Sequence, residues 1–168
     1  MKRPDYIKHW HDLEGPDNAG YPGSDEKFAI GTPVARHVGL RRLGVSHIRL
    51  PPGRRTSYPY AQSSDELYIY VLEGYPQVWV NGYLHELVPG DSVGFTPGTG
   101  LCHTFLNNTQ QDVCFLVVEE PPHPDNRTYF PLNPGYAATR NDRWVDHPPQ
   151  FFGAHDGRPG PDRKMNKK

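Results

Sequence analysis

Residues 66–98 read ELYIYVLEGYPQVWVNGYLHELVPGDSVGFTPG. The first run alternates, which places Leu67, Ile69 and Val71 on one strand face and Tyr68, Tyr70 and Leu72 on the other. Asn81-Gly82 stands between VWV and YLHEL and is the favoured pair for a two-residue hairpin turn, because both central positions need positive φ. Pro89-Gly90-Asp91 and Pro97-Gly98 mark further reversals. Downstream, HTFLNN (103–108) and DVCFLVVEE (112–120) continue the pattern of short strands. Upstream, ARHVGLRRLGVSHIRL (35–50) is read as strand chemistry beginning at Val34 and stopped by Pro51-Pro52-Gly53. Short antiparallel strands without crossover helices predict an all-β barrel or sandwich.

The rest of the chain frames that block. The 168 residues suit one domain. Pro (19) and Gly (17) are in excess, which with the lack of a long Pro-free amphipathic stretch excludes a helical bundle. Residues 1–34 show no sustained period and read as an arm with one short strand or turn. Residues 35–120 read as the barrel. Residues 121–168 are Pro-rich but carry Tyr129, Phe130, Tyr136, Trp144, Phe151 and Phe152, so they read as an extended tail that packs on the barrel or on a partner subunit, loose from about Gly157.

The formal net charge of −1 offers no basic field for nucleic acid or an anionic membrane. No apolar run approaches a membrane span, and MKRPDYIKHWHDLEG lacks the apolar core of a secretory signal. Two cysteines, Cys102 and Cys114, do not make a disulfide framework. Reduced thiols in a cytoplasmic protein are expected. Sequons at Asn107 and Asn126 carry no weight without a secretion signal.

Two stretches carry motif spacing. In Gly53–Gly74, Tyr60 and Gln62 flank one residue, and Leu67 lies six residues before Gly74. In Gly90–Asn107, a Pro97-Gly98 turn precedes His103, which stands with three residues before Asn107. Fifteen residues separate Gly74 from Gly90. These stretches resemble the two motifs of the cupin superfamily, and the resemblance spans about residues 35–118. Residues 124–131, Trp144 and His155-Asp156-Gly157 look like a subgroup of small bacterial cupins.

The resemblance implies a single antiparallel jelly-roll barrel and a divalent metal held by three His and one Glu within it. Carried over by position, the first His is Tyr60, the second Gln62, the Glu is Leu67 and the third His is His103. One of four ligands is kept, and the Gly98–His103 spacing is two residues longer than the commonest version. No metal is therefore expected. A bulge at Asp65-Glu66 would turn Glu66 inward and leave His103, Glu66 and Gln62 as a fallback set for Fe, Mn, Ni or Zn.

Three functions stay open. The leading one is a small molecule bound inside the barrel by Tyr60, Gln62, Leu67, His103 and Phe105, with Arg49 as an anion clamp if its strand face points inward. The second is metal-free or weakly metal-dependent isomerase or cyclase chemistry with His103 and Tyr60 as acid–base pair, in outline similar to metal-free cupins that epimerise sugars. The third is a non-catalytic dimeric interaction protein. The resemblance also implies a homodimer, for which the Tyr68–Tyr70 row is the candidate face. His47 shares the face of Arg49. His9 and His11 are read as incidental and His85 as an exposed strand position, His147 and His155 matter only if the tail folds over the barrel mouth as a lid, and Phe95, Phe105, Trp79 and Phe115 are read as barrel core.

Overall fold

The computed structural model describes residues 3–160. Ten strands are joined by tight turns: β1 (Ile30–Thr32), β2 (Gly44–Leu50), β3 (Ala61–Gln62), β4 (Leu67–Glu73), β5 (Gln77–Val80), β6 (Tyr83–Glu86), β7 (Ser92–Phe95), β8 (His103–Leu106), β9 (Val113–Glu119) and β10 (Thr128–Tyr129). All pairings between strands are antiparallel. One wall is the five-stranded sheet β1-β2-β9-β4-β7. The other is β6-β5-β8, extended by bridges from β8 to Arg55 and Tyr60 and by the small sheet β10-β3. The architecture is a jelly-roll type.

The alternation of β4 holds. Leu67, Ile69 and Val71 are buried and pack with Leu50, Val78, Phe105, Val113 and Phe115 between the walls. Asn81 (φ 45°) and Gly82 (φ 89°) form the expected hairpin turn. The segment from Val34 differs from its reading. Val34–His37 is a short helix, α1, and β2 begins only at Gly44. Pro33 precedes it, and Gly39 at φ 88° ends the turn before the chain straightens.

Trp79 is a second correction. Val78 is the inward neighbour on β5, while Trp79 is fully buried on the outer face, against Ala61, Cys102 and Trp144. What buries it is the chain after the barrel. Trp79 Nε1 donates to the His155 carbonyl at 2.8 Å, and Gly153 N donates to the Asn81 carbonyl at 2.8 Å. Gly157, expected to be loose, is buried, and its carbonyl accepts from Arg55 at 3.0 Å. Residues 161–168 lie outside the described ones. Phe151 packs on nothing comparable and is 91% exposed. No helix among the described residues is long and apolar enough to cross a membrane.

Candidate functional site

The floor of the space between the walls is set by two residues 43 positions apart in sequence. Tyr60 N–H donates to the His103 carbonyl at 3.2 Å, and His103 N–H donates to the Tyr60 carbonyl at 3.0 Å. A pair that exchanges both bonds sends its side chains to the same face. The two rings lie 4.8 Å apart, tilted by 47°. On its other side His103 stacks on Phe95 at 3.5 Å and 10°.

The imidazole is 3% exposed, and neither Nδ1 nor Nε2 has a partner at hydrogen-bonding geometry. Burial pulls its pKa down to about 3, with the Leu101 backbone opposing. His103 is therefore neutral near pH 7, with one N–H donor and one bare acceptor. A buried polar group left without a partner costs roughly 1–3 kcal/mol. Burial also raises the pKa of Tyr60, so its phenol stays protonated.

Both residues line a cavity of about 450 Å³. Leu67 and Ile69 from β4, Phe105 from β8, and Phe115 and Val117 from β9 make its apolar walls. Thr56, Ser57 and Glu119 add polar atoms, and Ala19 and Ala29 close it from the segment before the barrel. A larger depression of about 550 Å³ lies outside, over α1 and the start of β2, and contains none of the sequence-predicted site residues.

Tyr60, Leu67, His103 and Phe105 are thus brought together. Gln62 is not among the described lining residues. It pairs with Thr128 and its amide donates to Asp65 Oδ2 at 3.3 Å. The open question of which face Arg49 occupies resolves outward, so it is no anion clamp for the barrel interior. Ile48 is the inward residue of β2, and Arg49 points outward to Glu14 (2.8 Å from both guanidinium nitrogens) and Asp112 (3.0 Å). His47 shares that outer face under Trp10, with rings 3.9 Å apart. His9 caps the short helical turn Trp10–Asp12, His85 is exposed, and His147 stacks on Tyr129.

Glu119 was missed. It sits opposite Leu67 on β4 and Gly44 on β2, at the inward end of β9. A Cβ at Gly44 would lie 2.6 Å from Glu119 Cγ, so the glycine makes room for the carboxylate stem. Partial burial raises its pKa, with the Asp65 charge acting in the same direction. The signal was the period of two itself, which runs Phe115, Val117, Glu119.

Against known proteins, residues 46–119 match the family model of the cupin domain. That match, with the jelly-roll architecture, supports the cupin superfamily for this stretch of the chain. Among solved structures, a sugar phosphate isomerase of the cupin superfamily from Silicibacter pomeroyi is 28% identical, with a TM-score of 0.58 over 61% of this chain and 64% of that one. A candidate sugar phosphate isomerase from Acidithiobacillus ferrooxidans is 24% identical, TM-score 0.57, over 61% and 65%. The chain thus spans a little under two thirds of the length of either. The polyketide cyclase from Streptomyces resistomycificus is 23% identical, TM-score 0.60, over 84% and 95%. No curated protein matches.

Cupins often bind metals, and the donor set here does not fit one. Glu66 is exposed on the outward side, its backbone N–H donating to Glu120. The register of β4 shifts between Val71 and Glu73, not at Asp65-Glu66. The fallback set of His103, Glu66 and Gln62 is therefore not assembled. Among the described residues no three His, Cys, Asp or Glu are grouped to hold an ion. Leu67 puts a hydrocarbon where the carboxylate ligand belongs, and a single imidazole falls short of the three good ligands that tight Zn binding needs.

Proposed function

We propose that this chain binds a small molecule inside its barrel, against His103 and Tyr60. The observation that carries this reading is His103, buried, neutral and unpartnered at both ring nitrogens on the wall of a 450 Å³ cavity. Cavities of this size, mostly apolar with a few convergent polar groups, are the usual form of a ligand site. A fragment panel read by thermal shift tests it. Ring-bearing fragments are expected to raise the Tm of the wild type and not of His103→Phe, which fills the site with carbon. Equal shifts in both would overturn the reading, as would stoichiometric Fe, Mn, Ni or Zn that His103→Phe loses.

A second reading is acid–base catalysis of the isomerase or cyclase type. It is favoured by the pairing of a neutral imidazole, able to accept a proton, with a phenol held in its protonated form 4.8 Å away. Substrate turnover lost in Tyr60→Phe with binding kept would support it. Pairing of two copies across the outer face of β4 is a further part of the proposal. Tyr68 there is 42% exposed, and a Tyr68→Glu variant sedimenting at the same mass as the wild type would sink the idea.

A further inference from the structure

The charge of the cavity restricts what can enter it. Among the described residues that line it, Glu119 alone carries a formal charge, and none is Lys or Arg. The arginines close by are already engaged elsewhere. Arg49 holds Glu14 and Asp112, Arg54 holds Asp17 and the Phe28 carbonyl, and Arg55 holds Glu26 and the Gly157 carbonyl. His103 cannot supply a cation, because burial keeps its ring neutral. An anion brought into this space would lose its hydration and meet no cation, only neutral groups (Thr56, Ser57, Tyr60 and the uncharged His103) and the Glu119 carboxylate.

The polar atoms that remain ask for a particular group. Both nitrogens of the neutral imidazole are buried without a partner, so a ligand group that reaches them must accept from the N–H or donate to the bare nitrogen. A hydroxyl suits either edge of the ring, accepting from the N–H or donating to the bare nitrogen, though one hydroxyl meets only one of the two because they point apart. Around it stand Phe105, Phe115, Leu67, Ile69 and Val117, which suit a flat ring. Glu119 also borders two depressions on the outer surface, so it stands at the rim, where its oxygens can accept from a second hydroxyl.

We infer that the barrel takes an uncharged, hydroxyl-bearing aromatic compound and rejects anions, with His103 at the floor and Glu119 at the rim as its two polar ends. This rests on the binding reading above and adds the class of ligand. It sets the chain apart in substrate chemistry from the sugar phosphate isomerase it resembles in fold.

The test uses the full chain and three probes that share one ring system: 2-naphthol, 2-naphthyl phosphate and 2-naphthylmethylamine, titrated calorimetrically at pH 7. 2-Naphthol is expected to bind, and the phosphate to bind more than about tenfold more weakly, since its charge finds no partner. Glu119→Gln is expected to narrow that gap, and His103→Phe to abolish naphthol binding. Tyr60→Phe, which removes one oxygen from the same wall, serves if His103→Phe does not fold. Phosphate binding as tight as naphthol, lost in His103→Phe, would overturn the ligand class and leave the barrel site standing. So would the amine binding about tenfold tighter than naphthol. Binding of none of the three would overturn both.

Discussion

The segment before the barrel packs on β2 and the segment after it on β3 and the β5–β6 turn, and the two are fastened by a different mix of forces. Glu14, Asp17 and Glu26 reach back to Arg49, Arg54 and Arg55, with Lys27 adding a contact to Asp17. Tyr21 stacks on Tyr58 at 4.0 Å. The later segment is sewn in through its backbone. Thr128 and Tyr129 pair with β3, Gly153 and His155 donate to the hairpin turn at 81–82, and Trp144 is buried beside Trp79. The difference matters because the charged fastening holds the cavity wall. Ala19 and Ala29 line the cavity, whereas no described residue after Glu119 does. The late segment is held mainly through its backbone, whereas the early one joins the backbone pairing of β1 on β2 to a set of ion pairs over residues 14–26.

Arg55 joins the two and gives the strongest way to break the contrast. It is 1% exposed, holds Glu26 of the early segment and the Gly157 carbonyl of the late one, and lies over the Phe28 and Tyr58 rings. Arg55→Ala is expected to cost about 2–4 kcal/mol by urea denaturation, because the buried Gly157 carbonyl and the partly exposed Glu26 both lose their partner and the packing over Phe28 and Tyr58 is lost. Hydrogen exchange should rise in both segments. A rise in one alone would show that Arg55 is not the joint.

Gly82→Ala should release only the late segment. Gly82 has φ 89°, and a Cβ there would lie 2.4 Å from Gly153 N. The expected cost is about 2 kcal/mol, with faster exchange at 150–157 and none at 14–28.

Acid separates the cavity floor from the arm. His103 titrates at about 3 when folded and near 6.5 when unfolded. Its folded pKa is depressed, so the unfolded chain binds the proton first. Its contribution leaves stability unchanged above 6.5, lowers it as pH falls below that, and levels off below about 3. The slope is about 1.4 kcal/mol per pH unit, and His103→Gln should remove it. The arm responds later. Arg54 holds the Asp17 carboxyl down at about 2 from 3.8, and Arg49 lowers Glu14. The stabilisation these carboxylates give is complete above about pH 4.5 and fades as pH falls toward 2.

The smallest effect is the most local. Glu14→Gln is expected to cost no more than about 1 kcal/mol, as partly exposed pairs do. In 1 M salt, where screening reaches about 3 Å, exchange in 14–28 should rise in the wild type too. Unchanged exchange there would mean that Tyr21 and Phe28, not the ion pairs, hold the arm.

Much of the fold was readable because it rests on local rules. Alternation in 67–73 and the Asn81-Gly82 turn need only neighbouring residues. What was not readable depended on distant partners. Arg49 reads as a free cation until Glu14, 35 residues earlier, is seen beside it. Trp79 reads as barrel core because nothing near it announces the His155 backbone. Glu119 was hidden by Glu120, since a charged pair at a strand end reads as solvated. Tyr60, Leu67 and His103 share the cavity wall because the motif spacing fixes their strand positions, whereas the Gln62 amide turns to Asp65.

The central claim is that His103 is a neutral, unpartnered imidazole on the wall of a ligand cavity. Nitrogen NMR of protein labelled at histidine tests it directly. The expected result is a His103 ring that stays neutral down to about pH 4 and whose two nitrogens both shift on addition of 2-naphthol. A ring that protonates near pH 6, or one that does not move while 2-naphthol binds, would contradict the account.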